Sequence, residues 1–171
     1  RAAIFIFLNK AGLNGLYRVN KSGDFNVPFG KKEKIKIYDD INIIKVYELL
    51  QRTEIVHGDY SKALDFVEEN TFVYFDPPYR PITNTSSFTA YVNNGFNDED
   101  QILLAQFCFQ LYIRGIHFAL SNSDPHNTDP TDMFFDDLYE GFHISRINAS
   151  RQIAANSKSR NSVSEILVLG W

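Results

Sequence analysis

The chain has 171 residues, 44% hydrophobic and 22% charged, with a formal net charge of −4. It is long enough for one hydrophobic core, and its ordinary globular composition includes no apolar run near the roughly 20 residues of a bilayer span. The acidic balance argues against a uniformly basic nucleic-acid binder, yet it averages an uneven chain. Between Lys10 and Lys36 the basic residues far outnumber the two acids, Asp24 and Glu33, whereas acids gather at Asp98, Glu99 and Asp100 and again from 124 to 140. A basic stretch of this kind can hold a phosphate backbone locally, or be a solvated surface. Cys108 is the only cysteine, so there is no disulfide framework or thiolate metal cluster, and a reduced, cytoplasmic setting fits.

In chain order, "AAIFIFLN" suits a buried strand or a helix segment, and "GLNGLYRVNKSGDFNVPFG" has the turn-forming residues of a hairpin. "DDINIIKVYELLQRT" has the apolar spacing of an amphipathic helix. "EIVHGD" reads as a short strand, "SKALDFVEEN" as a short helix and "TFVYFD" as a strand. "NDEDQILLAQFCFQLYIRG" predicts a helix with Asp98 and Gln101 as its capping box, Gly115 as its stop, and Ile102, Ala105, Phe109 and Ile113 on one face. "IHFALSNS", "FHISRINA" and "SEILVLGW" read as strands and "DMFFDDLYE" as a helix. Alternating strands and helices imply an α/β fold with a mostly parallel sheet, whose ligands sit beyond the carboxyl ends of the strands. Asp59, Asp76 and the Ser121-Asn122 pair are expected at such ends, facing one crevice.

The sharpest feature is "FVYFDPPYRP" (72–81). Pro77 and Pro78 lack N–H groups, so the backbone there offers mainly carbonyl acceptors, and an ionised Asp76 also only accepts. Tyr79 adds an aromatic face. A planar guest with an exposed amino group fits: its hydrogens meet the acceptors and its ring stacks on the tyrosine. The plain alternative is a proline-rich turn with a surface tyrosine.

Asp76-Pro77-Pro78-Tyr79 after an apolar strand resembles the catalytic motif of DNA amino-methyltransferases. Together with "NGLYRVN" (14–20), "FNVPFG" (25–30), "FTAY" (88–91), "SNSD" (121–124) and "SEILV" (164–168), it is similar to the Dam-type (D12 class, alpha-group) site-specific DNA adenine-N6 methyltransferases, across almost the whole chain. The resemblance implies a Rossmann-like S-adenosylmethionine-dependent methyltransferase fold with an incomplete sheet. Residues 1–38 would belong to a DNA target-recognition segment and 39–171 to the catalytic domain.

It further implies S-adenosylmethionine as donor and N6 of a flipped-out adenine in double-stranded DNA, within GATC, as acceptor. Asp76, Pro77, Pro78 and Tyr79 would be catalytic. Asp59 and Tyr60 would join Asp76 at the cofactor, although Asp59 reads equally as a helix N-cap. Arg18 would read a guanine, for which its guanidinium is suited, or contact a phosphate. Asn14, Leu16 and Pro28 match other recognition positions. Phe88 and Tyr91 would lie near the flipped base or pack their loop. Lys21, Lys31, Lys32 and Lys34 would meet phosphates, and Arg151, Asn156 and Ser157 lie in a polar loop near the DNA. A restriction endonuclease is a partner by function, and no metal is implied, since the histidines are scattered.

The family's glycine-rich cofactor loop is absent, and the chain opens on Arg1, which reads as a fragment or processed form. The rival readings are a non-catalytic DNA-binding pseudoenzyme and methylation of another base. Against the latter, cytosine-N4 enzymes usually carry serine or asparagine where Asp76 stands.

Overall fold

Among the described residues, short apolar runs from residue 72 onward form one open sheet of four strands. These are β1 (Phe72–Phe75), β2 (His117–Ser123), β3 (His143–Ser150) and β4 (Ser162–Gly170), in the spatial order β1-β2-β4-β3. The computed structural model describes residues 1–31, 34–81, 96–150 and 162–171. β1 and β2 are parallel, with Phe75 opposite Leu120. β4 is antiparallel to both β2 and β3. The mostly parallel sheet expected from the sequence is therefore corrected to a mixed one. The chain passes from β1 to β2 through a long helix, as a parallel pair requires, whereas β4 turns back along β3 and enters between it and β2. The α/β class stands.

That crossover helix, α3 (Asp98–Ile113), packs on β1 and β2. Its Leu104, Cys108 and Leu111 join Phe75, Phe118, Leu120, Ile166 and Val168 in the core, with Phe135 and Tyr139 from the region of the short helix α4 (Phe134–Leu138). The face differs from the expected one. Ala105 is buried, but Ile102, Phe109 and Ile113 are exposed. Apolar side chains surround this helix, so spacing alone does not choose its inner side.

The cap is also one residue earlier than expected. Asn97 accepts from the amides of Glu99 and Asp100 while Asp100 accepts from the amide of Asn97, a reciprocal box. At the other end Gly115, at φ 75°, closes the helix as expected: its N–H donates to Tyr112 and that of Ile116 to Leu111. Gly170 lies opposite Phe118, and a Cβ there would overlap the Phe118 ring.

The described residues divide between His57 and Gly58 into two units. In the first, "AAIFIFLN" is helical within α1 (Ala2–Ala11), and α2 (Asp40–Leu50) forms behind the Asp39 N-cap. Between them residues 12–30 double back as an irregular hairpin, with antiparallel bridges Gly12–Phe29 and Val19–Phe25. At its tip the Asn20 side chain accepts from the amides of Ser22 and Asp24. The tilted rings of Phe5, Tyr17 and Phe25 pack in series, at 4.9 and 5.7 Å between ring centres. "EIVHGD" is not a strand: Ile55 and Val56 are exposed and pair with no described strand. "SKALDFVEEN" gives only a 3-10 helix, Tyr60–Asp65, capped by Asp59.

Candidate active site

The Asp-Pro-Pro-Tyr turn leaves the end of β1, where the parallel register sets it beside Ser121 and Asn122 of β2. The sequence-level expectation of clustered polar strand ends holds for these two strands. Ser121 Oγ donates to Asp76 Oδ1 at 3.3 Å and accepts from the Tyr74 hydroxyl at 3.0 Å. One carboxylate oxygen of Asp76 is thereby oriented from the sheet. Tyr79 is half-buried, and its hydroxyl donates to Glu165 Oε2 of β4 at 3.3 Å. Burial, and then the negative charges of Glu165 and Asp76, push the Tyr79 phenol above its ordinary range against the opposing hydrogen bond with Ser121. It therefore stays a protonated donor.

Two fully buried amides grip the turn. Gln101 Nε2 of α3 donates to the Pro78 carbonyl at 3.1 Å, and Asn122 Oδ1 of β2 accepts from the Arg80 amide at 3.0 Å. Asn122 Nδ2 joins them by donating to Gln101 Oε1 at 3.1 Å. The Arg80 guanidinium adds an outer clamp. It forks onto Asp98 at 2.8 and 3.1 Å, reaches Asp132 at 2.7 Å, and lies 4.3 Å from the Phe134 ring centre. Asp98 and Gln101, expected to cap α3, are thus occupied with the turn instead.

Beside the turn lies a cavity of about 630 Å³. Its walls are Tyr60, Tyr74, Phe75, Phe96, Leu103 and Leu104 together with Pro77 and Pro78, and three carboxylates line it, those of Asp59, Asp76 and Asp100. Asp59 is the N-cap of residues 60–65, accepting from Ser61 at 2.9 Å, as one sequence reading expected, and it also lines the cavity. The Ser61 hydroxyl, then its amide, hold the Asp59 carboxyl below its ordinary range. Burial, then the Asp59 charge, push the Tyr60 phenol up. Tyr60 packs edge-on against Phe107, which meets Phe75 in the same way.

The other described residues predicted from the sequence lie in the first unit. Asn14, Leu16, Arg18 and Pro28 are all exposed on the hairpin. Arg18 donates from Nε to Asn26 Oδ1 at 2.8 Å and from a terminal nitrogen to the Asn26 carbonyl at 3.0 Å. Lys21 sits at the hairpin tip, and Lys31 and Lys34 follow it. Lys32, Phe88, Tyr91, Arg151, Asn156 and Ser157 lie outside the described residues.

Arg80, Tyr74 and Glu165 were not singled out from the sequence, and Gln101 was expected only as half of a capping box. A glutamine in a helix's first turn ordinarily reads as exposed, and only the fold turns it inward. Asn122 carried a signal, as a polar residue inside an apolar strand.

A mixed α/β sheet with this turn at a strand end beside an acid-lined cavity is consistent with an S-adenosylmethionine-dependent methyltransferase. The class narrows on comparison: residues 1–153 match the model of the D12 class N6 adenine-specific DNA methyltransferases, and the chain belongs to that family. It is 46% identical over 172 residues to the Type II methyltransferase M.MjaIII of Methanocaldococcus jannaschii, covering 100% of this chain and 57% of that protein. It is 39% identical to the Type II methyltransferase M1.LlaDCHI of Lactococcus lactis subsp. cremoris, covering 100% and 58%. To the DNA adenine methylase of Escherichia coli it is 33% identical, covering 99% and 58%. The chain thus spans little more than half the length of these relatives.

Proposed function

We propose that this protein transfers a methyl group from S-adenosylmethionine to N6 of an adenine flipped out of double-stranded DNA, within GATC. The observation that carries this reading is the turn: an exposed Asp76 carboxylate beside a Pro77 carbonyl that meets no donor among the described residues, while the Pro78 carbonyl is taken by Gln101. An adenine amino group fits there, giving one hydrogen to each acceptor. Those bonds draw its lone pair out of the ring and hold the nitrogen in one orientation, which is catalysis by positioning and electrostatics. Tyr79 stacks on the extruded base, which offsets about 1–3 kcal/mol of lost stacking.

The cavity suits the donor. Its volume falls in the range of about 300–1,000 Å³ usual for small-molecule sites. Its aromatic walls and three carboxylates suit a purine linked to a cationic group. Asp59 and Tyr60 would hold the cofactor and Asp76 would border it. When bound, S-adenosylmethionine supplies an electrophilic methyl on sulfur. Arg18 is the guanine reader, supported by its exposed place on the hairpin, with Asn14, Leu16 and Pro28 beside it and the lysines on phosphate. Residues 1–38 serve recognition and 39–171 catalysis, in the cytoplasm, with a restriction endonuclease sharing the site where one exists.

The test is incubation of labelled S-adenosylmethionine with duplexes that contain or lack GATC, using the protein with any flanking segments restored. Label in the GATC duplex alone, abolished in Asp76→Ala, supports the proposal. Salt-sensitive DNA binding without any transfer overturns it and favours a pseudoenzyme.

A further inference from the structure

The two buried amides do more than fill the core, because their bonds fall on the two peptide groups that flank Tyr79. The Pro78 carbonyl belongs to the peptide before the Tyr79 Cα, and the Arg80 N–H to the peptide after it. The first is held by Gln101 at 3.1 Å, the second by Asn122 at 3.0 Å, and the amides are tied to each other at 3.1 Å. The proline rings already fix φ at 77 and 78. Holding the planes on either side of residue 79 then restrains its φ and ψ, and with them the direction in which its Cα–Cβ bond carries the ring.

The chain of bonds also has a direction. Pro78 offers only an acceptor, so Gln101 must present its NH2 there and its oxygen to Asn122. Asn122 must then give its NH2 to Gln101 and its oxygen to the Arg80 amide; that oxygen also accepts from the Ser123 amide at 2.9 Å. Reversing either amide sets donor against donor or acceptor against acceptor. Both residues are 0% exposed, so water offers no substitute and a misfit is costly.

We infer that Gln101 and Asn122 are positioning residues: a buried amide relay that locks the backbone around Tyr79, turns the Pro78 carbonyl inward, and so leaves the Pro77 carbonyl as the turn's outward acceptor. The catalytic part of this inference rests on the function proposed above; the locking of the turn does not.

Two measurements separate those parts. Fluorotyrosine placed at position 79 reports the ring by fluorine NMR. A single sharp line is expected in the wild type. In Gln101→Met, which keeps the side-chain volume and removes the donor, the line is expected to broaden or split. Leu111→Val serves as control: Leu111 is equally buried in α3 and contributes only core packing. It is expected to lower the melting temperature while leaving the fluorine line single. An unchanged single line in folded Gln101→Met overturns the inference, whatever the activity.

Kinetics in the protein with any flanking segments restored test the catalytic part. Gln101→Met is expected to lower kcat by about 10- to 100-fold, the scale of a small misplacement, with both KM values little changed. Gln101→Glu can donate to the Pro78 carbonyl only when protonated, and burial raises its pKa. Its kcat relative to wild type should therefore rise as pH falls from about 8 to about 6. A loss of kcat no greater than in a Leu111→Val protein of equal melting temperature reduces the pair to core packing and overturns the positioning role. Absence of transfer in the wild type fells the proposed function instead, and the fluorine line then decides the fate of the relay.

Discussion

The turn at residues 76–79 and the hairpin around Arg18 both present polar groups from extended backbone, but they are held in opposite ways. The turn is gripped from beneath by Gln101 and Asn122, both 0% exposed, and from the side by Arg80. The hairpin is held by backbone bonds, such as Leu13 N–H to the Pro28 carbonyl and Asn26 N–H to the Arg18 carbonyl, and its Arg18–Asn26 contacts lie in solvent. Chemistry on a weakly nucleophilic amino group demands fixed acceptors, and buried polar bonds supply fixity because breaking them strands groups away from water. Reading a base demands side chains that can exchange one partner for another, and exposed bonds allow that at small cost. On the proposed function, the turn is held as an acceptor site needs and the hairpin as a base reader needs.

Substitutions should divide along the same line. The largest effect belongs to Asp76→Ala, with methyl transfer lower by at least about 100-fold and DNA binding retained, measured by single-turnover transfer alongside filter binding. Arg18→Ala should lose about 1–3 kcal/mol of preference for a GATC duplex over one with that guanine changed. Its melting temperature should stay at the wild-type value. A marked drop in melting temperature would show that the hairpin is as rigidly built as the turn, and would break the comparison.

Arg80→Ala, which removes the forked bond to Asp98, the contact with Asp132 and the stacking on Phe134, should cost about 1–2 kcal/mol in chemical denaturation. Asp132, held below its ordinary range chiefly by Arg80, should titrate closer to normal in that variant. The smallest effect is alkaline. Burial pushes the Cys108 thiol up from 9.0 to about 12. The unfolded chain therefore releases this proton first. The stabilisation is complete below pH 9.0 and is lost as pH rises toward about 12. Melting temperature should begin to fall above pH 9.0, less so in Cys108→Ala.

Much of the rigid region was legible in the sequence, because its signals are local. Val73, Tyr74 and Phe75 favour a strand, and Asp76 with two prolines ends it in a turn of acceptors. The grip beneath the turn was not legible, because it is made by Gln101 and Asn122, residues 23 and 42 positions from their backbone partners. The inner face of α3 was hidden for a related reason: apolar residues on every side leave the choice to the sheet it meets. "EIVHGD" has strand-like residues, yet a strand exists only where a neighbour pairs with it. The reversal of β4 depends on where the chain returns to the sheet, which alternation of helices and strands does not encode. The hairpin's turns were legible from Asn20, Ser22, Gly23 and Asp24, whereas the Arg18–Asn26 bond needed the register.

The most direct test of the central claim, that the turn takes an adenine amino group, is the identity of the product. Duplex DNA containing GATC is incubated with S-adenosylmethionine and the protein with any flanking segments restored. It is then digested, and the nucleosides are resolved by mass. The account predicts one new nucleoside, N6-methyldeoxyadenosine, missing from the Asp76→Ala digest. N4-methyldeoxycytidine, or a digest without any methylated nucleoside, would contradict it.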